Sequence, residues 1–177
     1  MIDSSASWTS WEAPFPKIFD STEQTQIRSF LIRFSQPFSK NTGLCLPRFK
    51  LFSKMRSALT MADNNQALIR GLTEVKNYLL KEQTGLEQLA QKDPKSFPVR
   101  ISRVMFISND GSNRFNNHVE TLINQCSPRL SAIVLDHESS ELHQLIYGKT
   151  GLLKAFLACQ KNPVNLIIRS LHHLADV

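Results

Sequence analysis

The stretch Leu68-Ile69-Arg70-Gly71-Leu72-Thr73-Glu74-Val75-Lys76 gathers the most chemistry in this 177-residue chain. A short apolar run reaches a glycine, turns, and enters a helix whose start carries Thr73, Glu74 and Lys76. Backbone amides at a helix N-terminus, flanked by Arg70 and Lys76, make a place where a polyanion can dock. A second grouping is the basic run Lys40, Arg48, Lys50, Lys54 and Arg56, with no acid before Asp63. It reads either as a solvated surface or as a phosphate-contacting arm. The third is Asp110 with Asp136, each expected just past a strand end, where α/β enzymes often carry acids. Two such acids could hold a metal, although turn and cap roles are commoner for Asp at strand ends.

Other catalytic patterns fail on spacing. Tyr147-Gly148-Lys149-Thr150-Gly151 invites a phosphate-loop reading, but the glycine required five residues before Gly148 is His143. No Gly-x-Ser-x-Gly elbow occurs, and no Gly-x-Gly-x-x-Gly follows a strand. His172 and His173 are adjacent on a helix and point apart; His118 and His143 read as part-buried helix residues. The expectation is no cofactor and no metal.

The elements that must position these residues can be read from periodicity. Residues 1–19 are polar, then aromatic and proline-broken (Trp8, Trp11, Pro14, Phe15, Pro16, Phe19), which reads as an extended arm packed on the domain or on a partner protein. Asp20 with Glu23, or Ser21 with Gln24, has capping-box spacing before Ile27, Phe30, Leu31 and Phe34 at helical intervals. Residues 35–48 are turn-like, with Pro37, Gly43 and Pro47. Phe52, Met55 and Leu59 mark a second helix. The corner at Gly71 then joins a short strand to a third, with Leu72, Val75, Leu79 and Leu80 inward. Residues 81–100 look like an insertion-like loop.

Beyond it the pattern alternates. Val104–Ile107 is a buried strand, and Phe115 to Cys126 a helix. Leu130–Leu135 is a strand, Glu141–Tyr147 a helix ended by Gly148, and Leu152–Cys159 a strand. A final helix is started by Asn162-Pro163, with Val164, Ile167, Ile168, Leu171 and Leu174 inward. The sum predicts an arm (1–19) and one α/β domain (20–177), a three-layer α/β/α sandwich.

Composition sets the class. A hydrophobic content of 41% supports a real core, and 21 Lys and Arg against 15 Asp and Glu leave a net charge of +6, which suggests an anionic partner. Three widely spaced cysteines, Cys45, Cys126 and Cys159, form neither a disulfide framework nor a metal motif, and fit a reducing compartment. No signal peptide and no apolar span are visible, so an intracellular soluble protein is expected.

The order of these features resembles the kink-turn-binding superfamily of ribosomal and small nucleolar ribonucleoprotein proteins. Within it the chain is similar to the fungal ribonuclease P and ribonuclease MRP subunits of this fold, related to the human thirty-eight-kilodalton subunit. The resemblance rests on Pro14-Phe15-Pro16-Lys17-Ile18 leading into a helix. It rests also on Gly71-Leu72-Thr73-Glu74-Val75, similar to the superfamily's Gly-x-Asn-Glu-Val corner, and on the Ser140-Glu141-Leu142 helix ending at Gly148 between strands. Thr73 stands where the signature has Asn, and Asn77 where a lysine is usual, so contact with RNA shape and phosphate is the carry-over.

What the resemblance implies is a non-catalytic, nuclear and nucleolar RNA-binding subunit supporting transfer-RNA 5′ maturation and ribosomal-RNA processing. Its partners would be the structured RNAs of ribonuclease P and MRP and other subunits of the same particle, one of them met by the aromatic arm. Arg70, Gly71, Leu72, Thr73, Glu74 and Lys76 would face RNA, and the loop Asp136, His137, Glu138 and Ser139 would lie beside them. Another ribosomal or nucleolar member of the superfamily, or a small metal-dependent α/β enzyme using Asp110 and Asp136, are the alternatives.

Overall fold

The expected run Val104–Ile107 lies at the centre of a sheet with a helical layer on each side. The structure, a computed structural model, describes residues 8–38 and 43–175, and the side chains of 173–175 fall outside that description. Lys40, residues 1–7 and the expected inward side chain of Leu174 therefore lie outside the described residues. In chain order the elements are α1 (Ser21–Arg33), β1 (Ser35–Pro37), β2 (Cys45–Phe49), α2 (Ser53–Asn64), β3 (Leu68–Arg70) and α3 (Leu72–Lys92). After a 3-10 turn at Pro94–Ser96 come β4 (Arg103–Ile107), α4 (Asn113–Cys126), β5 (Leu130–Leu135), α5 (Ser139–Tyr147), β6 (Ala155–Ala158) and α6 (Lys161–Ala175).

The six strands form one sheet in the order β1-β2-β5-β4-β6-β3. β2, β5 and β4 run parallel, β6 runs antiparallel to both β4 and β3, and β1 is antiparallel to β2. Successive strand side chains point to opposite faces, and β4 shows the consequence. Val104 and Phe106 join a core with residues of α1, α2, α5 and α6, while Met105 and Ile107 join a second core with α3 and α4. Phe106 stacks on Phe156 of β6 with ring centres 5.0 Å apart. This is a mixed α/β fold with helices on both faces of the sheet, compatible with the α/β/α sandwich.

Several local expectations hold for their stated reasons. Asp20 caps α1 and closes the box with Glu23, and Gly148 ends α5 in the left-handed conformation (φ 67°). Others are corrected. The turn-like segment 35–48 contains β1 and β2, paired Ser35 to Pro47 and Pro37 to Cys45. Pro47 fits because the β2–β5 pairing starts only at Arg48, so no ladder donor is lost there. The loop expected over 81–100 is helical as far as Lys92. Lys, Glu, Gln and Leu dominate that stretch and outweigh Gly85, whose cost is about 1 kcal/mol. α5 starts earlier, at Ser139, and the strand expected over 152–159 shrinks to Ala155–Ala158, because the Leu153 amide bonds outside the sheet, to the Ser139 carbonyl. α6 begins at Lys161, two residues before Pro163. A first-turn amide needs no intrahelical acceptor, so the proline is tolerated there.

Of the two expected resting places for the aromatic segment, the structure shows the domain itself. Trp11, Phe15 and Phe19 are buried in the same core as α1, α2 and α6. Trp11 donates through Nε1 to the Ala132 carbonyl at 2.8 Å, and the Ile101 amide donates to Pro14 at 2.9 Å. Prolines prevented a regular element here but not burial.

Candidate functional site

The strand directions bring the C-terminal ends of β2, β5, β4 and β3 and the N-terminal end of β6 to one end of the sheet. Backbone hydrogen bonds stitch that rim together. Gly71 N–H donates to Ala155 O at 2.8 Å, Ser108 to Lys154 at 3.0 Å, Asn109 to His137 at 3.0 Å, and Asp136 to Phe49 at 2.9 Å. Every RNA-facing candidate from Arg70 to Lys76 and from Asp136 to Ser139 lies on or next to this rim. Two strands, β6 and β4, separate the groups, which puts them roughly 14 Å apart at the usual strand spacing.

At the β3–α3 corner Gly71 is the helix N-cap, with φ 86° and ψ 139°. That backbone region is nearly closed to residues with a Cβ. The first helical bond runs from Val75 N–H to Gly71 O at 3.0 Å, and Gly71 offers no side chain to accept from the first turn. The amides of Leu72, Thr73 and Glu74 therefore have no intrahelical acceptor and point toward the rim. Gly71's own amide is spent on Ala155 and so is not among the free donors of this corner. Thr73, Glu74 and Lys76 are exposed, and Leu72 packs partly on the α3–α4 core.

Arg70 is positioned more tightly than its exposure suggests. Its guanidinium lies 3.7 Å from the Tyr147 ring centre and pairs with Asp63 at 2.7 Å. Burial, and secondarily the Asp63 carboxylate, push the Tyr147 hydroxyl up to about 12, so it stays neutral. Neither partner was legible in the sequence, since Asp63 sits at the end of α2 and Tyr147 at the end of α5. The contacts hold a cation beside the corner while leaving it accessible.

The other half of the rim is internally committed. Arg48 Nε and Nη2 donate to Asp136 Oδ1 at 3.1 and 3.0 Å, and Asn109 adds a third bond at 3.0 Å. The Asn109 amide and then Arg48 hold the Asp136 carboxyl below the usual carboxylate range. His137 is buried, its Nε2 accepting from Leu51 N–H at 3.0 Å and its Nδ1 lying 2.8 Å from Glu141. Ser139 is buried and donates to Asp110 Oδ2 at 2.7 Å, while Ser108 donates to Oδ1 at 2.5 Å. Burial draws the Asp110 carboxyl up, but those two hydroxyls outweigh it and hold the acid below its usual range. Only Glu138 of this loop is exposed.

The acids therefore serve the rim's own hydrogen bonding. Among the described residues no group of three or more His, Cys, Asp or Glu stands together that could hold a metal. The Gly148–Gly151 turn wraps His143, whose Nδ1 lies 2.9 Å from the Lys149 carbonyl. Of the basic run, Arg48 is paired as above, Lys50 is exposed at the rim, and Lys54 and Arg56 are exposed on α2, in the helical layer.

Gly71→Ala is expected to cost about 1–3 kcal/mol of stability, through backbone strain alone. A Cβ there would meet nothing within 4 Å, so the cost comes from φ and not from a clash. Urea denaturation checks it, and a change under half a kilocalorie would show that the corner relaxes freely.

No family model matches the chain, and no curated protein matches it. Among solved structures, one of a protein with unknown function from Bacillus halodurans C aligns with a TM-score of 0.46 at 16% identity, covering 71% of this chain and 100% of that chain. Among the described residues no helix is long and apolar enough to cross a membrane.

Proposed function

We propose that this chain is a non-catalytic RNA-binding subunit of ribonuclease P and ribonuclease MRP, of the kink-turn-binding type. It would support transfer-RNA 5′ maturation and ribosomal-RNA processing in the nucleus and nucleolus. The observation that carries the reading is the Gly71 corner: three uncapped first-turn amides beside Arg70 and Lys76 on a rim fixed by backbone bonds. That geometry suits phosphate, and the net charge of +6 favours a polyanion over a small anion. Thr73 and Glu74 are the exposed side chains placed to touch a sugar or a base edge. Catalysis belongs to the RNA in this reading.

The test is binding of the purified protein to ribonuclease P RNA and MRP RNA over a salt series. Affinity should fall linearly on a log–log plot, and Arg70→Ala or Lys76→Ala should each reduce the slope by about 1 while weakening all sequences alike. Salt-independent binding would sink the electrostatic account. Affinity purification that returns neither RNA would sink the assignment to these particles.

A further inference from the structure

We propose that the trough along the outer face of α2, between α2 and α6, is a docking site for an acidic amphipathic helix of another protein. Two concavities meet there. One, of about 240 Å³, is lined by Lys54, Ser57, Ala58, Met61, Leu166 and Arg169, with Ser170 beneath. The other, of about 510 Å³, is lined by Ser53, Arg56, Ser57, Thr60 and Met61. They adjoin along α2, where Ser57 and Met61 line both; the first is walled by α2 and α6, the second by α2 alone.

Its floor is apolar and open: Met61 is 53% exposed and Leu166 44%. Its walls are cationic, with Lys54 and Arg56 on α2 and Arg169 on α6, and among the described residues no acid lines either concavity. The cations of α2 also stand in and next to its first turn, which has no acid, where the helix dipole disfavours positive charge. An apolar floor between basic walls is the complement of a helix whose apolar stripe is flanked by acids, read at i, i+3, i+4 and i+7. Methionine suits such a floor because its flexible thioether adapts to the side chains laid on it. Among the described residues no aromatic lines these concavities to stack a base, and they lie on the helical layer and not on the sheet rim. A protein segment therefore fits better than RNA. This moves Lys54 and Arg56 from phosphate to carboxylate partners and does not depend on the RNA reading.

The test uses the full chain and a fluorescein-labelled helical peptide with leucines at those intervals flanked by glutamates, read by anisotropy. The peptide should bind, and Met61→Asp or Leu166→Asp should weaken it at least about tenfold, as expected for a central apolar anchor. Both side chains are exposed, and an unchanged circular dichroism spectrum confirms the fold. The double variant Lys54→Glu, Arg169→Glu should reject the acidic peptide and accept one with lysines in place of the glutamates. Equal binding of acidic and basic peptides, or no effect of the charge swap, overturns the proposal. So does single-stranded RNA that displaces the peptide and is itself weakened by Leu166→Asp, which would make the trough an RNA face. Self-association abolished by Leu166→Asp would make a second copy the occupant and overturn it as well.

Discussion

Glu82→Ala will destabilise this protein by about 3–5 kcal/mol, because it strands a buried guanidinium. Arg129 is only 1% exposed, and its Nη1 lies 2.5 Å from Glu82 Oε2, with Nη2 on Gln83 Oε1 at 3.2 Å. Glu82 Oε1 pairs with Arg103, so one carboxylate on α3 is shared by two arginines, Arg103 at the start of β4 and Arg129 just before β5. The backbone carbonyl of Arg129 also accepts from the amides of Ser102 and Arg103, at 3.0 and 3.1 Å. Removing the carboxylate leaves Arg129 nowhere to go, since the buried charge costs several kilocalories unpaired. At 2–4 °C per kcal/mol for a chain of this size, the thermal midpoint should fall by roughly 6–20 °C. Replacing all three members by apolar residues, Glu82→Leu with Arg103→Met and Arg129→Met, should recover most of that loss, because the cluster's attraction chiefly offsets its own desolvation. A single-variant loss below about 1 kcal/mol would mean that water reaches Arg129 and that the triad is a surface feature.

That triad explains why part of the fold was hidden in the sequence. The stretch from Lys81 to Lys92 reads as a loop because Gly85 and two later prolines suggest breaks, yet Glu82 and Gln83 at its start are held by Arg103 of β4 and by Arg129 just before β5, both far along the chain. Burial of a charged pair has no periodic signature. The β1–β2 pairing was hidden for a related reason: Pro37 and Pro47 argue against strands locally, and only the register shows that neither removes a needed donor. What was legible rested on local chemistry, as in the Asp20–Glu23 box, the Gly148 cap and the Gly71 turn. The candidate site divides the same way. Sequence located the corner and the loop after β5, but not that Arg70 would lean on Tyr147 and Asp63, or that Arg48 would be taken by Asp136. Those partners lie on other elements, and no spacing rule joins them.

Trp11→Ala should cost about 3–5 kcal/mol, the loss typical of truncating a large buried aromatic. The indole is fully buried, meets Phe15 edge-on at 5.9 Å, and donates to the Ala132 carbonyl in β5 at 2.8 Å. Trp11→Phe separates the contributions: it keeps much of the volume but leaves that carbonyl without its donor, for about 1–3 kcal/mol. The flanking backbone is held as firmly. Arg28 donates to the carbonyls of Trp11 and Ala13, both at 3.2 Å, and stacks over Phe15, while Arg100 donates to Phe15 O at 2.8 Å. Trp8 joins in through Gly43 and Cys45, so the segment reaches β2 as well as α1. A chain started at Asp20 would then expose the α1–α6 core and should fail to give a cooperative melting transition. If that truncated chain melts like the whole protein and Trp11→Ala is silent, the aromatics form a detachable arm free to meet another subunit. If both are destabilising, the aromatics belong to the domain core and are not free to serve as a contact arm.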